Sequence, residues 1–292
     1  MKLDNISKIL VQGITTTQGA HYTELMLQKG TPIVAGIGKL GETALGKIPI
    51  YNLVEQAISF AGQIDISLIF VEGRYVLDAA LEAMANEIKR IIIFSTGITP
   101  QDILQVIRTA KRKGVEILGP GSLGVLIPNR LYLGTQQYQF YSSGNIGVIS
   151  RLDRLMDQVA NILTQNKIGQ SFSGCLGSER ILGSSFEKWL NFLEHDPKTE
   201  AILLLGRAYG EEEIRALQYI ENNLQKPTII YLAGLELPPK RKLWSQTSSY
   251  VLDSSHFYIN QNLWLDKLTT TTIPILQSLN DIPEFLLKEL SS

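Results

Sequence analysis

Short runs of β-branched residues alternate with longer stretches in which apolar side chains return every three or four positions, along nearly the whole chain. In the first half this pattern predicts strands at 8–11, 32–37, 67–71, 90–94 and 115–118, with helices over 18–29, 75–88 and 101–113 between them. Such alternation marks parallel strands joined by crossover helices, so the fold class is α/β and the first half reads as one Rossmann-like unit. From Gly119 to Asn145 the rhythm breaks, with Pro120, Gly121, Gly124, Pro128, Asn129 and Gly134 set among Tyr and Gln. Beyond it, strands are predicted at 146–150, 201–205, 227–233 and 272–276, and helices near 155–165, 211–224 and 263–268. A last helix follows Asp281 and Pro283. The expected organisation is a Rossmann-like domain over 1–125, a connection over 126–145, and a flavodoxin-like parallel-sheet domain over 146–292.

Length agrees with two domains, since 292 residues is about twice a modal domain of roughly 150. Lys and Arg number 27 against 28 Asp and Glu, so no cationic surplus exists to draw in nucleic acid, and no nucleic-acid partner is expected. Cys175 is the single cysteine, which excludes an internal disulfide framework and a cysteine-only metal cage. No metal is expected, and the compartment is expected to be reducing. Asp4 and Lys8 interrupt any apolar segment at the amino terminus, and no run reaches the roughly 18–20 apolar residues of a bilayer-crossing helix. The expectation is a cytoplasmic protein without a transmembrane segment.

Two glycine-bearing turns follow predicted strands. Gly13-Ile14-Thr15-Thr16-Thr17-Gln18-Gly19 leads into a helix, placing hydroxyls and unpaired N–H groups at a helix start, which attracts phosphate or merely caps the helix. Its spacing is not G-x-G-x-x-G, because Thr16 stands where a middle glycine would admit close backbone approach. Gly36-Ile37-Gly38-Lys39-Leu40-Gly41 offers Lys39 as a phosphate donor or as a solvated loop lysine. His195 reads as a helix-end residue, and Glu211-Glu212-Glu213 as the acidic first turn of a helix.

The order VQGITTTQG, VAGIGKLGETALGKIPIYN, ILGPGSLGVLIPN, IGVISR, DPKTEAILLLG and KPTIIYLAG resembles the α subunit of succinyl-CoA synthetase, the succinate–CoA ligase, across essentially the whole chain. The resemblance implies a CoA-binding first domain, a second domain whose histidine is phosphorylated in turnover, and an ATP-grasp β subunit as partner, with a homo-oligomer as the other possibility. Carried over by position, the CoA contacts fall on Thr15, Thr16, Thr17, Gln18, Lys39, Ser95 and Thr96. The family usually has glycine at Thr16 and an acid at Thr96, so Thr16 either fills the space of the CoA diphosphate or shifts it.

The phosphoryl centre departs further. The family histidine falls on Gln246, whose amide cannot carry a phosphoryl group as imidazole does. The acid that orients that histidine falls on Arg207, and the phosphate-receiving helix start reads Ser150-Arg151-Leu152-Asp153-Arg154, where Asp153 would occupy or repel the anion. The sequence therefore leads to a catalytically silent α-like subunit, binding CoA or a nucleotide in a regulatory or assembly role. Its alternatives are an active succinate–CoA or other acyl-CoA ligase α subunit, and a structural interaction protein without ligand.

Overall fold

The computed structural model describes residues 8–39, 48–208, 210–235 and 261–291, with the side chains of 261–265 and 291 left aside. These residues fall into two compact units. The first takes the chain up to Gly124 together with Leu131–Thr135 and Gly177–Ser184; the second takes Val125–Arg130, Gln136–Leu176 and the chain from Ser185 onward.

In the first unit the elements run β1 (Ile9–Gln12), α1 (Thr17–Gln28), β2 (Ile33–Ile37), β3 (Ile50–Tyr51), α2 (Val54–Ala61), β4 (Ile66–Ile69), α3 (Val76–Ala85), β5 (Arg90–Ile93), α4 (Pro100–Lys113) and β6 (Glu116–Leu118). The strands are parallel, in the order β3-β2-β1-β4-β5-β6. This is the doubly wound Rossmann order, which reverses direction between β1 and β4 and opens a crevice at their carboxyl ends. Helix α4 shows how the sequence writes such an element. Pro100 stands in its first turn, the Thr99 hydroxyl accepts from the Asp102 N–H at 3.2 Å, and Gly114 closes it at φ +64°. Its buried stripe, Ile103, Val106 and Ala110, packs with Ala80, Ala83, Ile91 and Ile117. Each fully buried Val or Ile among these contributes about 1.5–3 kcal/mol.

The chain then forms β7 (Gly124–Ile127), β8 (Leu131–Gly134), β9 (Ser143–Ser150), α5 (Asp153–Gln165), β10 (Gln170–Cys175), α6 (Phe186–His195), β11 (Ala201–Arg207), α7 (Glu211–Asn223), β12 (Thr228–Ala233), α8 (Gln261–Thr270), β13 (Ile275–Leu276) and α9 (Ile282–Ser291). The second sheet is ordered β13-β12-β11-β9-β10-β7-β8. Its parallel part, counted from β9, has the 2-1-3-4-5 order of flavodoxin-like sheets with the switch between β9 and β11. The flavodoxin-like parallel part is the one expected from the sequence, and β7 and β8, added at its edge, make the sheet as a whole mixed. Strands β7 and β8 are joined by three residues, and Thr135 N–H bonds the Leu123 carbonyl, so they form an antiparallel hairpin. The stretch expected as a connection thus carries these two strands.

Strand β10, reading QSFSGC, is absent from the sequence expectation because its polar letters hide a fully buried strand. Two of those polar side chains are paired in place: Gln170 accepts from the Ser142 N–H at 3.1 Å, and the Ser171 and Thr199 hydroxyls bond at 2.7 Å, while the buried Ser173 hydroxyl is left without a partner among the described residues. Phe172 stacks on Trp189 of α6 at 5.3 Å, which makes Trp189 a core residue.

Candidate functional site

In the first unit the residues at the sheet's carboxyl edge converge on the switch between β1 and β4. Gly13 ends β1 at φ +83°, and a Cβ there would lie 2.8 Å from the Val71 backbone nitrogen, so only glycine lets the two strand ends approach. Helix α1 then starts against the turn. A Cβ on Gly19 would stand 2.0 Å from the Gly13 carbonyl oxygen, which makes Gly19 the residue that seats the helix on the strand. The Thr16 hydroxyl ties both together: it accepts from the Gly19 N–H at 3.0 Å and sits 2.8 Å from the Gly13 carbonyl and 3.3 Å from that of Phe70 as donor. Its hydroxyl is therefore turned inward as the helix cap.

Thr17 and Gln18 stand exposed on the first turn of α1, whose N–H groups no intrahelical carbonyl reaches. That turn contains no acidic residue, in contrast to the first turns of α5 and α7. It is a helix start with its dipole uncompensated, the arrangement that accepts a phosphate. Thr15 lies over Gly38, where a Cβ would come within 2.6 Å of its side chain, and Ile14 lies over Gly36 at 2.5 Å. Both glycines of the second motif thus make room for the β1–α1 turn, and Lys39 follows them as an exposed residue. Ser95 donates to the Val71 carbonyl, and Thr96 is exposed beside it at the end of β5. Gly73 fits under this loop, since a Cβ would meet the Thr96 and Gly97 carbonyl oxygens at 2.6 and 2.7 Å. Thr15 and Thr16, the first-turn residues Thr17 and Gln18 of α1, and Lys39, Ser95 and Thr96 on loops accordingly all stand at one edge of one sheet.

In the second unit the strand ends at the β9/β11 switch carry two arginines. Arg151 follows β9 and is only 7% exposed; Arg207 ends β11, with Nη2 3.5 Å from the Arg151 carbonyl. Burial lowers the pKa of Arg207, and the charge of Arg151 lowers it further, against the attraction of Glu213, Asp153 and Cys175. Asp153 bonds the Arg154 N–H at 2.8 Å, so the first turn of α5 already holds a carboxylate of its own. The acidic turn of α7 divides in two. Glu211 and Glu212 pair with Arg215 on the surface, as a first-turn cluster should. Glu213 is 1% exposed and accepts from the Arg207 N–H at 3.0 Å. The sequence reading missed that role, although Gly206 and Gly210 signal it: a Cβ on either would collide with the Glu213 side chain.

Among the histidines, His195 bonds the Asn191 carbonyl at 2.8 Å at the end of α6, away from the carboxyl ends of the strands, and His21 lies in α1. His256 and Gln246 lie outside the described residues. Among the described residues no group of three or more His, Cys, Asp or Glu could hold a metal ion, and no helix is long and apolar enough to cross a membrane.

Comparison with known proteins adds kinship to this geometry. The family model described as a CoA binding domain matches residues 4–97. The chain is 37% identical over 243 residues, 82% of its length and 84% of the relative's, to a protein of Archaeoglobus fulgidus named succinate–CoA ligase [ADP-forming] subunit alpha 2. It is 35% identical over 82% of its length to the malate–CoA ligase subunit alpha of Methylorubrum extorquens, covering 83% of that protein. Its fold superposes on ATP citrate lyase from Methanothrix soehngenii, solved with citrate and coenzyme A, with a TM-score of 0.78 at 18% identity. That match covers 98% of this chain and about half of the lyase chain.

Proposed function

Because the chain belongs to the α-subunit family of succinate– and malate–CoA ligases, we propose that it is the α-type subunit of an acid–CoA ligase and that its first unit holds coenzyme A against the β1–α1 turn. The observation that carries this is the start of α1 at the switch crevice, with exposed Thr17 and Gln18 and no carboxylate in the turn. A diphosphate fits such a turn because the helix dipole and the N–H groups favour negative charge there. Thr15, Thr17 and Gln18 would hold it, Lys39 would supply a cation at the edge, and Ser95 and Thr96 would border the far side of the crevice. Bound coenzyme A supplies the thiol that takes the acyl group. The chain's own part is to orient that molecule and to bring charge to the β9/β11 switch. An ATP-grasp β-type subunit is the proposed partner. Kinship with proteins named as ligase subunits supports a working subunit over the silent one that the substitutions suggested.

A second reading rests on Arg207. In place of an acid that could orient a phosphoryl-carrying histidine, this strand end holds a guanidinium beside a second one. Under that reading the chain binds CoA but serves in regulation or assembly, without phosphoryl transfer. One experiment separates the two. The purified chain is titrated with CoA by calorimetry, then mixed with an ATP-grasp β subunit, Mg-ATP, CoA and succinate or malate. CoA binding followed by acyl-CoA formation supports the working subunit; CoA binding without turnover supports the silent one. Failure to bind CoA at all refutes the shared premise.

A further inference from the structure

Residues 177–184 leave the second unit's sequence and lie on the first unit, across the carboxyl edge of its sheet. This strap is pinned to the loop after β6: Ser178 N–H donates to the Gly121 carbonyl at 3.1 Å, and Gly183 N–H to that of Gly119 at 2.9 Å. Ile181 packs on the first unit's core, and Gly183 sits so close to Ile117 that a Cβ would reach its side chain at 2.4 Å. From this anchored segment Glu179 reaches sideways, and its Oε1 accepts from the Gly97 N–H at 3.0 Å.

The position of that bond matters more than its strength. Gly97 holds φ +73° in the loop that follows β5, directly after Ser95 and the exposed Thr96. The loop is braced from below by Gly73, from one side by the Ser95 hydroxyl on Val71, and from another by Gly121, whose N–H donates to the Ser95 carbonyl at 3.0 Å. Glu179 adds a brace at the point where the backbone turns. We infer that Glu179 is a positioning residue for the cofactor: by holding the Gly97 N–H it keeps the Ser95–Thr96 rim at the height at which coenzyme A is received. This rests on the CoA-binding assignment proposed above, and it adds a determinant that lies about 80 residues away in the chain from the rim it sets.

The sign of the effect separates positioning from simple charge. A carboxylate close to a polyanionic ligand repels it, so if Glu179 acted only through its charge, any neutral replacement would tighten CoA binding. As a brace, its loss loosens the rim and weakens binding. Glu179→Met keeps length and packing without a strong acceptor, while Glu179→Gln keeps an amide oxygen for the Gly97 N–H. CoA affinity of the full chain is measured by calorimetry, alongside hydrogen exchange of a peptide spanning Gly97. Glu179→Met is expected to weaken CoA about tenfold and to deprotect Gly97, with Glu179→Gln within about twofold of wild type on both measures. If Glu179→Met does not yield folded protein, Glu179→Gln against wild type still decides: lost Gly97 protection or altered affinity in that variant overturns the inference. Unchanged or tighter binding in Glu179→Met also overturns it and leaves the CoA site standing. Absence of CoA binding in wild-type protein removes both.

Discussion

Thr16 is where two accounts of the cofactor turn make opposite predictions. If its side chain fills the space of a diphosphate, trimming it opens the site; if its hydroxyl builds the turn, trimming it damages the site. In Thr16→Ala the Gly19 N–H loses its capping acceptor, and the Gly13 carbonyl loses its hydroxyl donor but keeps the Thr16 N–H at 3.0 Å. Losing an N-cap of this kind costs about 1 kcal/mol, and the second bond adds roughly 0.5–1. At roughly 2–4 °C per kcal/mol, the melting midpoint should fall by about 3–8 °C. The N–H groups that would meet the ligand are fixed by the same cap, so CoA affinity should fall roughly three- to tenfold. Thr16→Ser, which keeps the oxygen and drops the methyl, should match wild type in both respects. Scanning calorimetry and CoA titration of the two variants check this. A Thr16→Ala protein that melts like wild type and binds CoA more tightly would refute the capping role and restore the blocking one.

Gly19→Ala should be more damaging than any change at Thr16, because the new Cβ meets a backbone oxygen at 2.0 Å and the whole helix must shift. A loss of about 2–3 kcal/mol in denaturant unfolding, with CoA binding abolished or nearly so, is the expected pair of results. Glu213→Ala should cost about 2–4 kcal/mol, since it leaves the Arg207 N–H without its acceptor in a buried place. Arg207→Met removes a desolvated guanidinium that faces Arg151 but also attracts the buried Glu213, so it should destabilise by about 1–3 kcal/mol in the same assay. Asp157 tests pH dependence: burial raises its pKa above 3.8, against the opposing bonds from Tyr141 at 2.7 Å and the Gln137 N–H. A raised carboxylate pKa means the folded state holds its proton longer, so its contribution is full below 3.8 and is lost as pH rises through the folded value. Asp157→Asn should therefore melt at or above wild type at neutral pH, and the difference should vanish in acid below 3.8.

Periodicity made the strands around both switch points legible, because β1, β4, residues 146–150 of β9 and residues 201–206 of β11 are continuous buried runs. The Gly13 and Gly19 spacing also located the crevice. What stayed hidden depends on contacts distant in sequence. Gly36 and Gly38 look like a phosphate loop, yet their lack of Cβ is required by Ile14 and Thr15 lying above them. Glu213 has the same letter as Glu211 and Glu212 before it, and only the helical register buries it. Glu179 sits among Gly, Ser and Arg in a segment with no periodic pattern, so nothing local reveals that it reaches Gly97. Strand β10 escaped because buried serines and a glutamine make a central strand look like a loop.

The strap bears on how the protein is made. Ile117 and its neighbours leave the ribosome well before residues 177–184, which complete the lobe they belong to. A nascent chain halted near Gly124 would carry every strand of the first sheet while lacking the segment that covers its edge. Synthesis from the amino terminus usually lets the leading domain finish first. Here the leading domain is complete in sequence only once β9, α5 and β10 have been synthesised.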